Sequence, residues 1–280
     1  MIYCKLCESD NVTELYSFKE YRMLKCEKCD LIFTDHDNLP KNLYSEEYYT
    51  KVHPNYFSDN KKNKKKIKNF IHGIWMIHKY KDKGLLLDVG CATGIFLDIA
   101  RKNGWSVTGV DISDYATKQV KSNFGIKAIH GNLNDAKFSD KSFDVITMWD
   151  FLEHVQDPNI VLSETRRILK NDGILFIHTI NEDSLMSKLA HWIYTLSLKQ
   201  IKFPAKLIHP IHHNFHYSEK TLKEFLKKYK FKVIYQEKSE MPAENIEQST
   251  LIRLAAKMLY IFSEILNQQH EIKLIAKKET

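Results

Sequence analysis

The sequence predicts an α/β fold, and three observations in the middle of the 280-residue chain indicate this class. The apolar run Leu85–Val89 lies between charged and turn-forming residues, as expected of a buried strand. A turn of small residues follows, and then a helical pattern over Ile95–Lys102. A second apolar strand, Trp105–Val110, leads into Asp111. A strand, a small-residue turn and a helix bring backbone amides and a helix N-terminus against a bound ligand.

The spacing of the small residues in this turn narrows the class of ligand. They fall at Gly90, Ala92 and Gly94, which departs from the G-x-G-x-x-G fingerprint of dinucleotide-binding turns, and the sequence has no G-x-x-x-x-G-K-[ST] phosphate loop. Asp111 follows Gly90 by 111 − 90 = 21 positions, and its carboxylate can accept hydrogen bonds from both hydroxyls of a ribose. The residues therefore predict a site for a nucleoside cofactor, although Asp111 taken alone is also compatible with a strand-end cap.

The pattern D-x-G-x-(G/A)-x-G, with an acid ending the next strand, resembles the first two motifs of class I S-adenosylmethionine-dependent methyltransferases. Later segments resemble the same family in family order, and these are His130–Pro158, Arg166–Asn181 and His212–Ile234. The resemblance spans residues 1 to 238 and implies a Rossmann-like, seven-stranded, mostly parallel sheet with helices on both faces. Within it Phe143–Met148 would be the fourth strand, and Ser218 with Thr221 would begin a late helix.

The resemblance also implies roles for residues by position. The methionine end of the cofactor would be held by Asp88, Gly90, Cys91, Ala92 and Gly94. The ribose would be bound by Asp111, the adenine would be contacted by Ile112, Asn132 and Leu133, and the methionine moiety would lie beside Trp149 and Asp150. Two residues depart from the family pattern, since Ala92 replaces a glycine and Asn132 replaces an acid, whose acceptor role its side-chain carbonyl can still fill. Asn132 alone is equally compatible with a turn, and Trp149 with a core residue.

Four of the 5 cysteines form two C-x-x-C pairs separated by 18 residues, and these are Cys4, Cys7, Cys26 and Cys29. This spacing is typical of a ribbon in which four thiolates hold one tetrahedral zinc ion, and a closed set of four ligands indicates structural rather than catalytic zinc. Two disulfides are the alternative. Residues 1–30 contain no apolar signal core that would indicate secretion, and Cys91 would remain unpaired.

The segments "CDLIFTD" and "LYSEEYY" resemble the entry of one methyltransferase subgroup that carries such an N-terminal ribbon. The resemblance implies activity on small molecules and sugars, often in antibiotic or cell-surface polysaccharide pathways. We therefore expect a zinc ribbon at 1–40, a helical linker or cap at 41–82, and an S-adenosylmethionine-binding domain at 83–280. Residues 183–217 within that domain would form a substrate lid or loop.

Charge and hydropathy describe an ordinary globular chain with a net charge of +7 and 43% hydrophobic residues. No apolar run approaches the roughly 18 residues of a membrane span, so we expect a cytoplasmic protein. The basic run Lys61–Lys68 could attract nucleic acid or an anionic membrane, but helical spacing favours a solvated helix face. The apolar residues that would form the buried side of this helix are Ile67, Phe70, Ile71, Ile74 and Trp75.

Two further segments have apolar residues at helical spacing and lie outside the cofactor motifs. Ser184–Phe203 follows the fifth strand, where the resemblance implies a lid or wall of the substrate site. Ile246–Leu266 precedes the last strand, and a core-facing helix is the simpler interpretation of it. Either segment could instead contact a second copy of the chain, in a homodimer, or a membrane surface.

Methyl transfer to a hydroxyl benefits from a base, because a neutral hydroxyl is a poor nucleophile. The candidates are His213 and His154, with Asp150 and Glu153 as second choices, and each histidine could instead have a structural role. The four histidines of one short segment could also bind a metal ion, although the segment contains no acidic ligand, and these are His209, His212, His213 and His216.

The residues together with the resemblance imply an S-adenosylmethionine-dependent methyltransferase. The resemblance to the ribbon-bearing subgroup further implies O-methylation of a sugar or another small metabolite in a surface-glycan or secondary pathway. A nucleotide-linked or lipid-linked sugar would suit the positive charge. One alternative is a methyltransferase whose ribbon and basic run hold RNA or protein, but the sequence lacks a basic stripe interleaved with aromatic residues. Another is a non-catalytic protein that retains the cofactor as a ligand.

Overall fold

A computed structural model describes residues 2–36, 45–47, 61–240 and 250–279, with side chains left out at 61–65 and 250–256. The strands are β1 Val12–Ser17, β2 Arg22–Cys26, β3 Ile32–Asp35, β4 Leu85–Val89, β5 Ser106–Asp111, β6 Lys127–His130, β7 Phe143–Trp149, β8 Leu169–Ile180, β9 Phe215–His216, β10 Phe231–Ser239 and β11 Glu271–Lys278. The helices are α1 Lys61–His78, α2 Ile95–Lys102, α3 Asp114–Phe124, α4 Pro158–Ile168, α5 Leu185–Leu196, α6 Phe203–Ile208, α7 Glu219–Lys228 and α8 Thr250–Ile265.

The larger sheet has seven strands in the order β10-β11-β8-β7-β4-β5-β6. Strands β8, β7, β4, β5 and β6 pair in parallel, while β11 pairs antiparallel with both of its neighbours. The predicted mostly parallel, seven-stranded α/β sheet is therefore confirmed. Because the parallel strands run the same way, the turns after β4, β5, β7 and β8 all leave the same edge of the sheet.

Hydrophobic residues cover both faces of this sheet. Neighbouring residues of β4 belong to two different hydrophobic clusters. Leu86 packs in a cluster with Phe70 and Ile74 of α1, whereas Leu87 belongs to the cluster that contains Leu222 of α7. Successive side chains of a strand point to opposite faces, so this separation requires a covered core on each side. The two cores hold the sheet in place, including the edge at which the candidate site lies.

The N-terminal strands form a second sheet in the order β1-β2-β3-β9. Its last strand comes from late in the chain, because Phe215 pairs with Phe33 and His216 pairs with Ile32. Leu24 and Phe33 of this sheet belong to the same buried cluster as the core around Leu87. The cysteine-bearing strands are thus joined to the larger sheet by backbone pairing and by a continuous core.

The helix over the basic run forms, but its buried side differs from the prediction. Phe70 and Ile74 are buried, whereas Ile71 and Trp75 are 51% and 52% exposed. Met76 and Ile77 complete the buried face of the helix, since residues three or four positions apart lie on the same side. The exposed Trp75 ring is covered in part by the ammonium group of Lys79, which lies 3.6 Å from its centroid.

The segments around the predicted lid and the last helix also differ from expectation. The helix expected over Ser184–Phe203 is divided, because α5 ends at Leu196 and α6 begins at Phe203. In α8 the expected core-facing arrangement is wrong over its later turns, where Met258, Ile261 and Phe262 are exposed. Of the helices in the described ranges, none combines the length and the apolar character needed to cross a membrane.

Candidate functional site

The turn after β4 is tied to the end of β5 by the carboxylate of Asp111. One oxygen accepts the backbone N–H of Ala92 at 2.8 Å, and the other accepts the N–H of Ser113 at 2.8 Å. The carboxylate is buried, and burial raises its pKa, which the two backbone hydrogen bonds partly offset. Each oxygen keeps a further lone pair for a ligand hydroxyl, so the predicted ribose acid stands where strands β4 and β5 both end.

The backbone of the turn adopts left-handed conformations at Gly90, Ala92 and Gly94, with φ of 75°, 45° and 84°. A Cβ on Gly90 would lie 2.5 Å from the ring of Phe151, so only glycine fits there. The side chain of Cys91 is buried away from the turn surface, packed against Gly109. The predicted loop residues therefore lie together, and Cys91 presents its backbone rather than its sulfur.

Asp88 lies near the end of β4, just before this turn, and its carboxyl group is buried. Its Oδ1 accepts the hydroxyl of Thr147 at 2.6 Å, and burial raises the pKa of the carboxyl to about 8. Within the described residues no side chain forms an ion pair with it. A buried acid of this kind is stabilised in its charged form by a cationic ligand, which fits the ammonium or sulfonium group of the predicted cofactor.

The residues predicted to contact the adenine differ in exposure. Ile112 is 50% exposed at the end of β5, whereas Leu133 is buried in the core cluster. Asn132 is exposed, and its side-chain nitrogen donates to Asp135 at 3.2 Å. Asp135 therefore supplies a carboxylate next to Asn132, the position where the family pattern has an acid. Comparison of the sequence with the family pattern at position 132 did not reveal Asp135. The adenine role of these three residues stays a prediction.

Trp149 ends β7 and Asp150 follows it, but the two side chains have different surroundings. Trp149 packs against Phe70 and Phe176, with centroids 4.8 and 4.6 Å away, so its ring belongs to the core beneath α1. Asp150 accepts a hydrogen bond from His178 Nδ1 at 2.6 Å. Whether either residue touches the cofactor stays a prediction.

His178 connects the exposed Asp150 to a buried acid, Glu271. Its Nε2 lies 3.4 Å from Glu271, and the ring is buried in the sheet. Burial works against the charge on His178, but the attraction of the two carboxylates outweighs it and raises the pKa of the imidazole to about 10. Asp150 itself is exposed, and the same attraction to His178 holds the pKa of its carboxyl below the usual range. His178 and Glu271 were not predicted, because neither belongs to a recognisable motif.

The predicted bases lie side by side beyond the end of β7. The rings of His154 and His213 have centroids 4.7 Å apart, and His154 Nδ1 donates to the carbonyl of His212 at 2.9 Å. His213 Nδ1 is buried and has no hydrogen-bond partner among the described residues. Burial and the neighbouring histidines hold the pKa of His213 well below its usual value, which favours the neutral ring. Glu153 is buried close by, and burial raises its pKa to about 8.

The four predicted zinc ligands converge at the tip of the second sheet. Cys4 Sγ lies 3.5 Å from Cys29 Sγ, and Cys7 Sγ lies 3.5 Å from Cys26 Sγ, with all four sulfurs within 4.8 Å of one another. None of the four forms a disulfide. Thiolates on a tetrahedral zinc ion are about 3.8 Å apart, from the usual Zn–S distance. This donor set therefore fits zinc rather than the two disulfides considered as the alternative.

Comparison with known proteins adds an independent observation. The profile of a family described as "Methyltransferase domain" matches residues 51–236. The ubiquinone biosynthesis O-methyltransferase of Actinobacillus pleuropneumoniae serotype 7 (strain AP76) is 36% identical over 107 residues, which cover 34% of this chain and 45% of that protein. The protein of the same name from Coxiella burnetii (strain Dugway 5J108-111) is 31% identical over 134 residues, covering 45% of this chain and 57% of the relative. The chain thus matches about half the length of these relatives.

Solved structures share the fold. A protein from Pyrococcus horikoshii OT3 superposes with a TM-score of 0.57 at 19% identity, covering 84% of this chain and 99% of its own. A SAM-dependent methyltransferase from Archaeoglobus fulgidus superposes with a TM-score of 0.55 at 21% identity, covering 82% and 100%. At these identities the likeness concerns the fold.

Proposed function

The chain belongs to the family of methyltransferase domains, and on this basis we propose that it transfers a methyl group from S-adenosylmethionine to a hydroxyl group of a small molecule. The observation that carries the proposal is the pairing of Asp111 with the amide of Ala92, at the end of two adjacent parallel strands. A carboxylate and a left-handed turn at this position suit the ribose and the methionine end of one ligand.

The charge of the site also supports this cofactor. The buried carboxyl group of Asp88 has a raised pKa and forms no described ion pair, so a cationic ligand would relieve the cost of its burial. The cofactor, when bound, supplies an electrophilic methyl group. The task of the protein is to align the acceptor with that group and to exclude water.

We assign the acceptor side of the site to the ends of β7 and β8. His213 and His154 are the proposed bases, because both rings lie near this edge and His213 has a buried, unpartnered nitrogen. Asp150 is held ionised by His178, so it would favour a developing positive charge on a neighbouring histidine. Residues 183–217 are the proposed lid.

Several relatives are named ubiquinone biosynthesis O-methyltransferases, which supports oxygen as the acceptor atom here. The acceptor we propose is a small metabolite with a hydroxyl group, either a sugar or a phenol. A radiolabelled methyl-transfer assay with both classes of acceptor distinguishes them, and transfer to RNA or protein instead would contradict the proposal.

The cofactor site is tested by calorimetry with S-adenosylhomocysteine on Asp111→Asn. We expect affinity to fall at least about tenfold, because the variant loses a charged acceptor for the ribose hydroxyls. The matched control is Asp114→Asn, an exposed acid three residues along that pairs only with Lys118 among the described ion pairs. Equal affinity in wild type and Asp111→Asn would refute the assignment.

We also propose that Cys4, Cys7, Cys26 and Cys29 bind structural zinc. The convergence of four sulfurs supports this, and a closed set of thiolates leaves no position for catalysis. Substitution with cobalt is expected to give the intense near-ultraviolet absorption of cobalt thiolate. That absorption should be lost when Cys26 and Cys29 are both replaced by serine, and its absence from the wild type would overturn the proposal.

A further inference from the structure

A second group of metal-ligating side chains lies beyond the end of β8. Glu182, His209 and His216 each offer one ligand atom, and these three atoms lie within 4.8 Å of one another. His209 Nε2 lies 2.9 Å from Glu182 Oε2. Ligand atoms on a metal with bonds of about 2.1 Å are roughly 3.0 to 3.4 Å apart, so this contact is close to the spacing of two ligands on one ion.

The hydrogen bonds around the two histidines indicate which ring nitrogen of each keeps its lone pair. Thr34 donates its hydroxyl hydrogen to the carbonyl of His213 at 2.6 Å, so in its 3.3 Å contact with His216 Nε2 it can only accept. His216 Nε2 therefore carries the hydrogen, and its Nδ1 keeps the lone pair. That Nδ1 is buried and has no hydrogen-bond partner among the described residues, and the whole side chain is 1% exposed.

The same arrangement holds at His209. Its Nδ1 lies 2.9 Å from the carbonyl of Ala205, which can only accept, so Nδ1–H donates and Nε2 faces Glu182. A histidine that donates one ring N–H to a backbone carbonyl or hydroxyl and keeps the other nitrogen for a ligand is the usual arrangement at metal sites. An ion pair of His209 with Glu182 would explain their contact, but it would leave Nδ1 of His216 unsatisfied.

The backbone fixes all three ligands in place. Glu182 donates its backbone N–H to Tyr217 at 2.8 Å, His209 follows α6, and His216 lies in β9 paired with Ile32. The group borders a cavity of about 410 Å³ that is lined by Glu182 and His216 together with Lys25, Lys188 and Lys220. Three protein ligands leave coordination positions open, and two of the three side chains line a cavity of the size of a small ligand.

We propose that Glu182, His209 and His216 bind a divalent transition-metal ion whose open coordination positions face this cavity. Two imidazoles and one carboxylate suit zinc, iron, cobalt or nickel rather than magnesium or calcium. The inference goes beyond methyl transfer, because the protein would bind this metal regardless of which acceptor it methylates.

The test is titration of the full-length protein with Co²⁺, with zinc kept in the four-cysteine site, followed by calorimetry and visible absorption. We expect one additional equivalent of Co²⁺ with the weak d–d bands of nitrogen and oxygen ligands and without thiolate absorption. Glu182→Gln and His216→Ala should each weaken this binding at least about tenfold. The matched control is His191→Gln, which lines the same cavity and lies outside the three ligands.

Folding of each variant is checked by circular dichroism without cobalt, and Glu182→Gln serves as the mild variant because it keeps the size of the side chain. A wild type that takes up no additional Co²⁺ overturns the inference regardless of the variants. Binding that survives both substitutions overturns it too. Loss of binding in His154→Gln instead would assign the metal to the neighbouring group of His154, His212 and His213. S-adenosylhomocysteine binding measured on the same samples reports separately on the proposed methyltransferase site.

Discussion

At the scale of single residues, Ala92 is the strained position of the turn after β4, the predicted cofactor turn. Its φ of 45° lies in the left-handed region, where a Cβ costs about 1 to 2 kcal/mol. We expect Ala92→Gly to raise the free energy of unfolding by up to about 1 kcal/mol, since relief of strain exceeds the added entropy of the unfolded chain. The matched control is Ala100→Gly in α2. Its free energy of unfolding should fall by more than about 1 kcal/mol. Urea denaturation measures both, and equal losses in the two variants would contradict the argument.

The Asp150–His178–Glu271 group gives stability a defined pH dependence. The pKa of His178 is raised from 6.5 to about 10 in the folded state, so its contribution is complete below pH 6.5 and is lost as pH rises toward 10. We expect wild type to lose more free energy of unfolding than His178→Gln between about pH 6.5 and about pH 9. Denaturation curves across that window measure the difference. The exposed His130→Gln variant should follow the wild type, and parallel curves for wild type and His178→Gln would rule out a protonated His178.

At the scale of elements, α7 begins at the predicted N-cap Ser218, which the structure extends to a capping box with Thr221. Ser218 Oγ accepts the N–H of Thr221, and Thr221 Oγ1 accepts the N–H of Ser218. Ser218→Ala is expected to cost about 1 kcal/mol, because a helix N–H loses its partner while Leu222 and Phe225 hold the helix in the core. Chemical denaturation tests this, with the exposed Ser122→Ala as the control. A change in Ser218→Ala as small as in Ser122→Ala would show that the cap adds nothing.

Sequence predicted those elements whose signals are local. The helix Ile95–Lys102 and the cap at Ser218 follow from a few adjacent residues, and both agree with the structure. Within Arg166–Asn181 the pairing of β7 with β8 contains an irregularity, because Phe143 pairs with Leu169 and Val145 with Ile174. Which side of α1 is buried could not be predicted, since a row of apolar residues wider than the contact leaves several rotations of the helix open.

The candidate site shows the same division. The residues of the cofactor turn are adjacent in sequence and lie together, whereas Glu182 joins His209 and His216 across 27 and 34 positions. Only the pairing of β9 with the N-terminal sheet and the course of the chain after β8 bring these three together. A search for metal ligands within one short segment therefore found the histidines and missed their acidic partner.

At the scale of the whole molecule, the cysteine-bearing sheet is part of the same folding unit as the larger sheet. Phe33 pairs with Phe215, Asn159 donates to the carbonyl of Lys5 at 2.9 Å, and Lys228 donates to that of Leu6 at 3.2 Å. Leu24 and Leu31 share one buried cluster with Tyr217. The interface between the two sheets is therefore core rather than a surface that could separate freely.

If the four cysteines bind the proposed zinc ion, this continuity predicts that the ion stabilises the entire chain. Removal of the ion by a strong chelator is expected to lower Tm in a single transition, because loss of the ribbon exposes apolar residues of the shared core. Calorimetry of wild type and of a variant with both Cys26 and Cys29 replaced by serine measures it. Cys91→Ser, whose sulfur lies in a different cluster, should respond to chelation as the wild type does, while the double variant should show no further decrease. Two separate transitions, with the upper one unaffected by chelation, would mean that the two sheets unfold independently in spite of their common core.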